Sequence, residues 1–221
     1  GVSPPPYYLN MSFSVNDDED NVKRNREIFF NAIKINQNEI ALPRQIHSDI
    51  VKVADEPGIY PDCDALITNT KFVYLGISVA DCVPIFLYDP KKHAVGAIHS
   101  GWQGSSKKIL NKALKAMTDI YGCNPKDIFA YIGYSAGGCC YEVGKDVASF
   151  FDKSFIQQKS EVKYLLDLKK FNHTLLTAYE VPENQIEVSE FCTICNPNFL
   201  HSYRRDGLKS GRMLGVIGLT E

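Results

Sequence analysis

A-D-C-V-P-I-F-L-Y-D-P-K-K-H-A-V-G-A-I-H-S-G-W-Q-G, running from Ala80 to Gly104, is the stretch whose reading decides the fold. Pro84 to Asp89 is apolar and aromatic, Pro90 to His93 has turn composition, and Ala94 to His99 is a second apolar run. The pattern predicts two strands paired as an antiparallel hairpin, so the start of the first lies beside the end of the second. Cys82 and His99 then meet at one edge of the sheet. Ser100 to Gly104 is expected to turn the chain into a Gly-rich helix start, a place where anions and substrates are readily held.

The 221 residues are 44% hydrophobic and 23% charged, enough for a sizeable core. With no linker or shift of composition, a single domain over residues 1–221 is expected. A formal charge of −2 and the lack of a basic stripe argue against a nucleic-acid partner. No apolar run reaches membrane-spanning length and no signal peptide is visible, so no membrane partner and a cytoplasmic location are expected. The chain opens on Gly1 and not Met, which weakens the reading on secretion and leaves room for a preceding piece. Seven cysteines are an odd number without disulfide-framework spacing, so reduced thiols are expected.

Upstream of the hairpin, Asp17 to Asp20 suits the acidic first turn of a helix, with Val22, Ile28, Phe29, Ala32 and Ile33 as its apolar stripe. Leu42 to His47 and Ile50 to Val53 read as short strands around R-Q-I-H-S-D. A lone His there is ordinarily a hydrogen-bonded surface or core residue. His47 gains standing because Cys82 and His99 need a partner. In P-D-C-D-A-L-I-T-N, Asp62 and Cys63 read as a polar turn, whereas Asp64 is placed to orient a ligand imidazole through a hydrogen bond.

Downstream, Ser105 to Tyr121 reads as one helix, its stripe of Ile109, Leu110, Ala113, Leu114, Met117 and Ile120 stopped by Gly122. Ile128 to Gly133 reads as a strand, Val143 to Phe151 and Asp167 to Tyr179 as helices, and Gln185 to Ser189 as a strand. Cys139 and Cys140 read as small buried thiols. Cys192 and Cys195 form a C-x-x-C that invites a redox or half-zinc reading. With no second C-x-x-C and no thioredoxin-like unit around it, no separate chemistry is expected there. Arg204, Arg205 and Arg212 gather around a turn beside Tyr203; such arginines are usually solvated, yet together they could hold a phosphate or carboxylate.

His47, Cys82 and His99 make a three-ligand set that suits zinc with a fourth position open, the catalytic arrangement. The same residues permit Cys82 as a nucleophile with His99 as its base, or copper in a two-His, one-Cys site. A multicopper oxidase needs many more imidazoles than the five histidines here, of which His93 and His173 fall in a turn and on a helix face.

The motifs G-V-S, Q-I-H-S-D, D-A-L-I-T, A-D-C-V-P, A-I-H-S-G-W-Q-G, C-C-Y-E-V-G, F-C-T, S-Y-R-R-D-G and S-G-R-M span nearly the whole chain. In that order they resemble the YfiH/laccase-domain family, also called multicopper polyphenol oxidase-like or purine nucleoside phosphorylase-like proteins. The resemblance implies an α+β fold with mixed sheets sandwiched between helical layers, similar to cysteine-type toxin deamidase domains. It implies a metal site of His47, Cys82 and His99, usually with zinc. It further implies phosphorolysis of adenosine, inosine and methylthioadenosine, with adenosine deamination, and a copper-dependent phenol oxidase activity. Small molecules, a purine nucleoside and phosphate, are the expected partners. Arg44, Arg204, Arg205 and Arg212 are the candidates for phosphate, Trp102 and Tyr203 for the base, and Asp81 for a proton carrier. A cell-wall precursor amidase is an alternative that the same site would serve. Oligomeric state is not legible. Three departures stand out: Gln103 where the family usually has Arg, Tyr134 where Pro is common, and no Thr-Arg-x-Gly ahead of G-V-S.

Overall fold

The computed structural model describes residues 1–220. Its strands are β1 (Ile40–Pro43), β2 (Val51–Val53), β3 (Gly58–Tyr60), β4 (Ala65–Thr68), β5 (Tyr74–Val79), β6 (Val83–Asp89), β7 (Ala94–Ser100), β8 (Phe129–Ile132), β9 (Glu142–Gly144), β10 (Ile156–Gln158), β11 (Lys163–Leu166), β12 (Ile186–Val188) and β13 (Met213–Ile217). The helices are α1 (Glu19–Ile33), α2 (Trp102–Ser106), α3 (Ile109–Tyr121), α4 (Lys145–Ala148), α5 (Leu168–Ala178) and α6 (Tyr203–Asp206).

The hairpin forms as β6 and β7, paired antiparallel from Val83 opposite Ser100 to Asp89 opposite Ala94. It lies inside a six-stranded mixed sheet of order β12-β8-β6-β7-β4-β2. All seven residues of β7 are buried because both faces of this sheet are covered. Ala65, Ile67, Val83, Ile85, Leu87 and Ile98 pack toward Ile109, Leu110, Ala113, Leu114 and Met117 of α3. On the opposite face Leu66, Val95 and Ala97 meet Leu75, Ile77 and Val79 of a second, four-stranded sheet ordered β13-β5-β1-β3. Phe30 of α1 then packs on Ile40 and Tyr74 from that second sheet. The alternation of side chains along β4, β6 and β7 therefore builds two cores at once. The result is an α+β fold with mixed sheets between helical layers. A small antiparallel sheet, β10-β11-β9, completes it.

Several elements differ from the sequence reading. Of the expected strands Leu42–His47 and Ile50–Val53, Arg44 to His47 and Ile50 lie instead in a loop, because Asp64 takes up the amides of Ile46, His47 and Ser48. Ser105 to Tyr121 is not one helix: Lys108 has φ 57°, which breaks α2 from α3. On α1 the buried residues are Val22, Asn25 and Phe30, while Ile28 and Ile33 are exposed. Asn25 replaces an apolar residue on that face because its amide holds the N-terminal loop through Ser3, Tyr8 and Asn10. Val143 to Phe151 is not one helix: Val143 and Gly144 end β9, which pairs with β11, and the helical part is the single turn of α4.

Candidate metal and substrate site

Register places the site. Extending the β6–β7 pairing by one residue puts Cys82 opposite Gly101, with His99 one step back on the same face. Ala65 pairs with Ile98, so Asp64 comes alongside His99. The backbone N–H of His99 donates to Asp64 O at 2.7 Å. Below them, Asp64 is fully buried and its carboxylate accepts from the amides of Ile46 (3.2 Å), His47 (3.0 Å) and Ser48 (2.6 Å) and from the Ser48 hydroxyl (2.7 Å). The loop thus curls around one carboxylate, with His47 at φ 60°, and presents the His47 ring to the sheet edge.

His47 Nε2 lies 3.9 Å from Cys82 Sγ, the two imidazole rings meet edge to face at 5.0 Å, and one donor atom from each of His47, Cys82 and His99 falls within 4.8 Å of the others. His99 Nδ1 sits 2.8 Å from Asp64 Oδ1, which leaves its Nε2 for a metal. Burial alone would push the Cys82 thiol up, but the charge of His99 and hydrogen bonding from His47 and His99 bring it down to about 6. Burial opposes the His99 imidazolium, yet the Cys82 thiolate and the Asp64 carboxylate raise it to about 9. A thiolate with two imidazoles, one oriented by a carboxylate, fits zinc.

Gly101 is required by close approach. A Cβ there would stand 3.0 Å from Cys82 Sγ and 3.2 Å from His47 Cδ2. The expected anion-holding helix start does not form at this point. α2 is a single turn without a side-chain cap, too short to sum a macrodipole, and its first turn packs against the ligands instead. Ser100, Ser105 and Asn172, all fully buried and hydrogen-bonded together, fix α2 to α5.

The three donors open on a cavity of about 870 Å³. Arg44, Asp81, Trp102, Tyr203, Arg204 and Arg212 also line it. Arg204 lies over the Tyr141 ring at 5.1 Å and donates to Glu142 O at 2.6 Å, and Arg212 lies over Tyr203 at 5.4 Å. Trp102 stands against Phe150, with ring centroids 5.9 Å apart.

Arg212 Nη1 also donates to Ser210 O (2.8 Å) and Gly211 O (3.0 Å), and two further candidates are engaged away from the cavity or within its wall. Arg205 is not part of the cavity lining: its guanidinium donates to Asp206, Thr193 O and Leu200 O, which ties down the turn. Asp81 reaches the wall, but Oδ1 accepts from Thr193 Oγ1 (2.5 Å) and Oδ2 from Arg204 N (2.6 Å). This geometry makes it a clamp between two loops.

Gln45, Ser78 and Tyr141 also line the cavity and were not anticipated. The Gln45 amide donates to Ser78 O and accepts from Ser78 N, joining the His47 loop to β5. The only sequence signal was the Gln inside Q-I-H-S-D. Tyr141 is buried, and burial first, then the Cys82 thiolate, pushes its phenol up to about 12. The cysteines corrected expectation too. Cys139 and Cys195 are exposed, and all four of Cys139, Cys140, Cys192 and Cys195 converge. Among the described residues this is the other group able to hold a metal, and it contains no histidine.

The chain is 34% identical over 238 residues to purine nucleoside phosphorylase YlmD of Bacillus subtilis (strain 168), covering 100% of this chain and 86% of the relative. It is 36% identical over 223 residues to a purine nucleoside phosphorylase of Deinococcus radiodurans, covering 99% and 85%. The crystal structure of hypothetical protein YfiH from Bacillus licheniformis superposes with a TM-score of 0.94 at 34% identity, covering all of this chain and 89% of that one. YlmD from Geobacillus stearothermophilus gives 0.94 at 31%, covering 100% and 88%. Residues 1–220 match the family described as multi-copper polyphenol oxidoreductase laccase, and the chain belongs to that YfiH/laccase-like family.

Proposed function

We propose that this protein is a zinc-dependent purine nucleoside phosphorylase that cleaves adenosine, inosine and methylthioadenosine, and also deaminates adenosine. The observation that carries this reading is the convergence of His47, Cys82 and His99 at the floor of a cavity lined by Arg44, Arg204 and Arg212. Relatives bearing the name purine nucleoside phosphorylase support it.

Zinc held by His47, Cys82 and His99 would supply Lewis-acid polarisation at the reacting atoms. The chain's own residues do the rest. Asp64 keeps a proton on His99 Nδ1 and fixes the ring. The three guanidinium groups concentrate positive charge where phosphate must stand. Tyr203 offers one ring face to the base, its other being taken by Arg212. In phosphorolysis a phosphate oxygen bonds to C1′ of the ribose as the C1′–N9 bond breaks, and the purine leaves with that electron pair and gains a proton. In deamination water adds at the purine carbon bearing the amine and ammonia leaves. We assign Asp81 to holding the Thr193 and Arg204 loops and not to proton transfer.

Copper-dependent phenol oxidation fits the donors less well. Among the described residues one metal-competent group contains histidine. The other three histidines lie elsewhere: His93 is in the turn between β6 and β7, His173 pairs with Glu183 at 3.0 Å, and His201 lies against Gly211. Seven free thiols suit a reducing compartment such as the cytoplasm.

One observation favours a second reading, a cysteine hydrolase acting on an amide: the Cys82–His99 pair is poised as thiolate and imidazolium. Adenosine and a small amide, each incubated with the protein with and without chelator or a thiol alkylator, separate the two. Adenosine turnover lost on chelation and restored by zinc supports the phosphorylase. Amide turnover that survives chelation and ends on alkylation supports the hydrolase.

A further inference from the structure

Four cysteine sulfurs converge at a place the chemistry above does not use. The adjacent pair Cys139 and Cys140 follows β8, and the C-x-x-C of Cys192 and Cys195 follows β12. The two segments are laced together by a bridge between Ser135 and Cys192 and by the Thr193 amide donating to Ser135 O at 3.0 Å.

One sulfur from each of the four residues lies within 4.8 Å of the rest, with Cys139 to Cys195 at 3.7 Å and Cys140 to Cys195 at 3.1 Å. Sulfurs at the corners of a tetrahedron with Zn–S bonds of about 2.3 Å stand about 3.8 Å apart. This spacing suits a single central ion and is too tight to enclose a multi-iron cluster.

One amide is aimed at the cluster: Cys192 Sγ accepts from the Gly137 N–H at 3.2 Å. Lys169 is buried alongside, lining one cleft with Cys139 and Cys192, and although burial opposes its charge the ammonium donates to Ser189 O at 2.6 Å and Phe191 O at 2.7 Å. An ammonium in that position offsets the charge of a tetrathiolate.

We propose that Cys139, Cys140, Cys192 and Cys195 form a second, closed metal site that binds one zinc ion as a tetrathiolate. The thiol protons leave to solvent as the four Zn–S bonds form. No protein position remains open, so the ion is structural. It staples the 137–141 loop to the 192–195 turn, and both reach the substrate cavity: Tyr141 lines it, and Thr193 donates to Asp81.

Zinc per chain, measured on protein purified with reductant and without chelator, tests the assignment. Two equivalents are expected in the wild type, one in Cys195→Ser, one in Cys82→Ser and none in the double variant. The two sites therefore fail separately: loss of zinc in Cys82→Ser reports only on the His47 site. A zinc content identical in wild type and Cys195→Ser overturns the proposal. Should Cys195→Ser not fold, labelling of the wild type with a maleimide gives the same decision. The exposed thiols of Cys139 and Cys195 should be protected in zinc-loaded protein and labelled quickly after chelation. Equal labelling with and without chelator, or fewer than seven thiols titrating in denatured zinc-loaded protein, would show free thiols or disulfides in place of the metal.

Discussion

His99 Nδ1 stands 2.8 Å from Asp64 Oδ1, and the same buried carboxylate binds the amide of His47 at 3.0 Å. One side chain thus positions two of the three proposed ligands, one by its ring and one by its backbone. Replacing Asp64 with Asn removes the negative charge and one acceptor while keeping the volume. Zinc affinity at the His47 site should fall by about 10–100-fold, read by competition with a chromophoric chelator. Unchanged affinity would mean that Asp64 serves the loop alone.

Acid stability follows from the same residue. Burial opposes the charged form of Asp64, but hydrogen bonds from His99 and Ser48 lower its pKa from 3.8 to about 2. A carboxylate depressed in the folded state stabilises above its unfolded value and loses that contribution as pH falls through the folded one. Metal-free protein should therefore lose on the order of 2 kcal/mol between about pH 4 and about pH 2 through this group. Urea unfolding across that range should be visibly flatter for Asp64→Asn.

Gly101→Ala should strike the site and spare the fold. The backbone φ of −73° suits any residue, yet the added methyl would meet Cys82 Sγ at 3.0 Å. Zinc content or affinity at the His47 site should drop several-fold, whereas the unfolding midpoint of metal-free protein shifts little. A large loss of metal-free stability would point to a packing role for Gly101.

Much of this was legible in the chain because β6 and β7 carry their own pairing signals. Two apolar runs around Pro90 to His93 set the register, and register brings Cys82 to His99. The Arg44–Ile50 loop was not legible, since an Asp distant in sequence competes for its amides. The break at Lys108 left no mark because Ile109 to Met117 keep helical spacing on either reading. Nor could spacing bring Cys139 and Cys140 to Cys195, whose segments meet because β8 pairs in parallel with β12 and Ser135 bridges to Cys192 just beyond. Arg204 and Arg205 are neighbours with the same chemistry, and only the fold of α6 sends Arg204 to the cavity wall, bonded to Glu142 O, and Arg205 away from it to Asp206 and the carbonyls of Thr193 and Leu200.

That difference yields a paired prediction. Arg204→Ala should raise KM for phosphate by about tenfold and cost less thermal stability than Arg205→Ala, because its one carbonyl bond, to Glu142 O, is exposed. Arg205→Ala should instead lower Tm, because Asp206 and the carbonyls of Thr193 and Leu200 lose their donor. Equal effects of the two changes on KM would contradict the placement.

The two-sided sheet predicts a large packing cost at its centre. Ile98 is fully buried between α3 and the strands, so Ile98→Ala should destabilise by about 2–5 kcal/mol in urea unfolding. Ile120, read with the apolar repeat of α3 but 54% exposed, should lose far less on the same change.

Adenosine incubated with zinc-loaded protein, with and without phosphate, tests the proposed activity most directly. Adenine and ribose 1-phosphate should accumulate only with phosphate, inosine should form with or without it, and His99→Ala should abolish both. Unchanged adenosine in wild-type protein with full metal occupancy would contradict the assignment of this cavity to purine nucleosides.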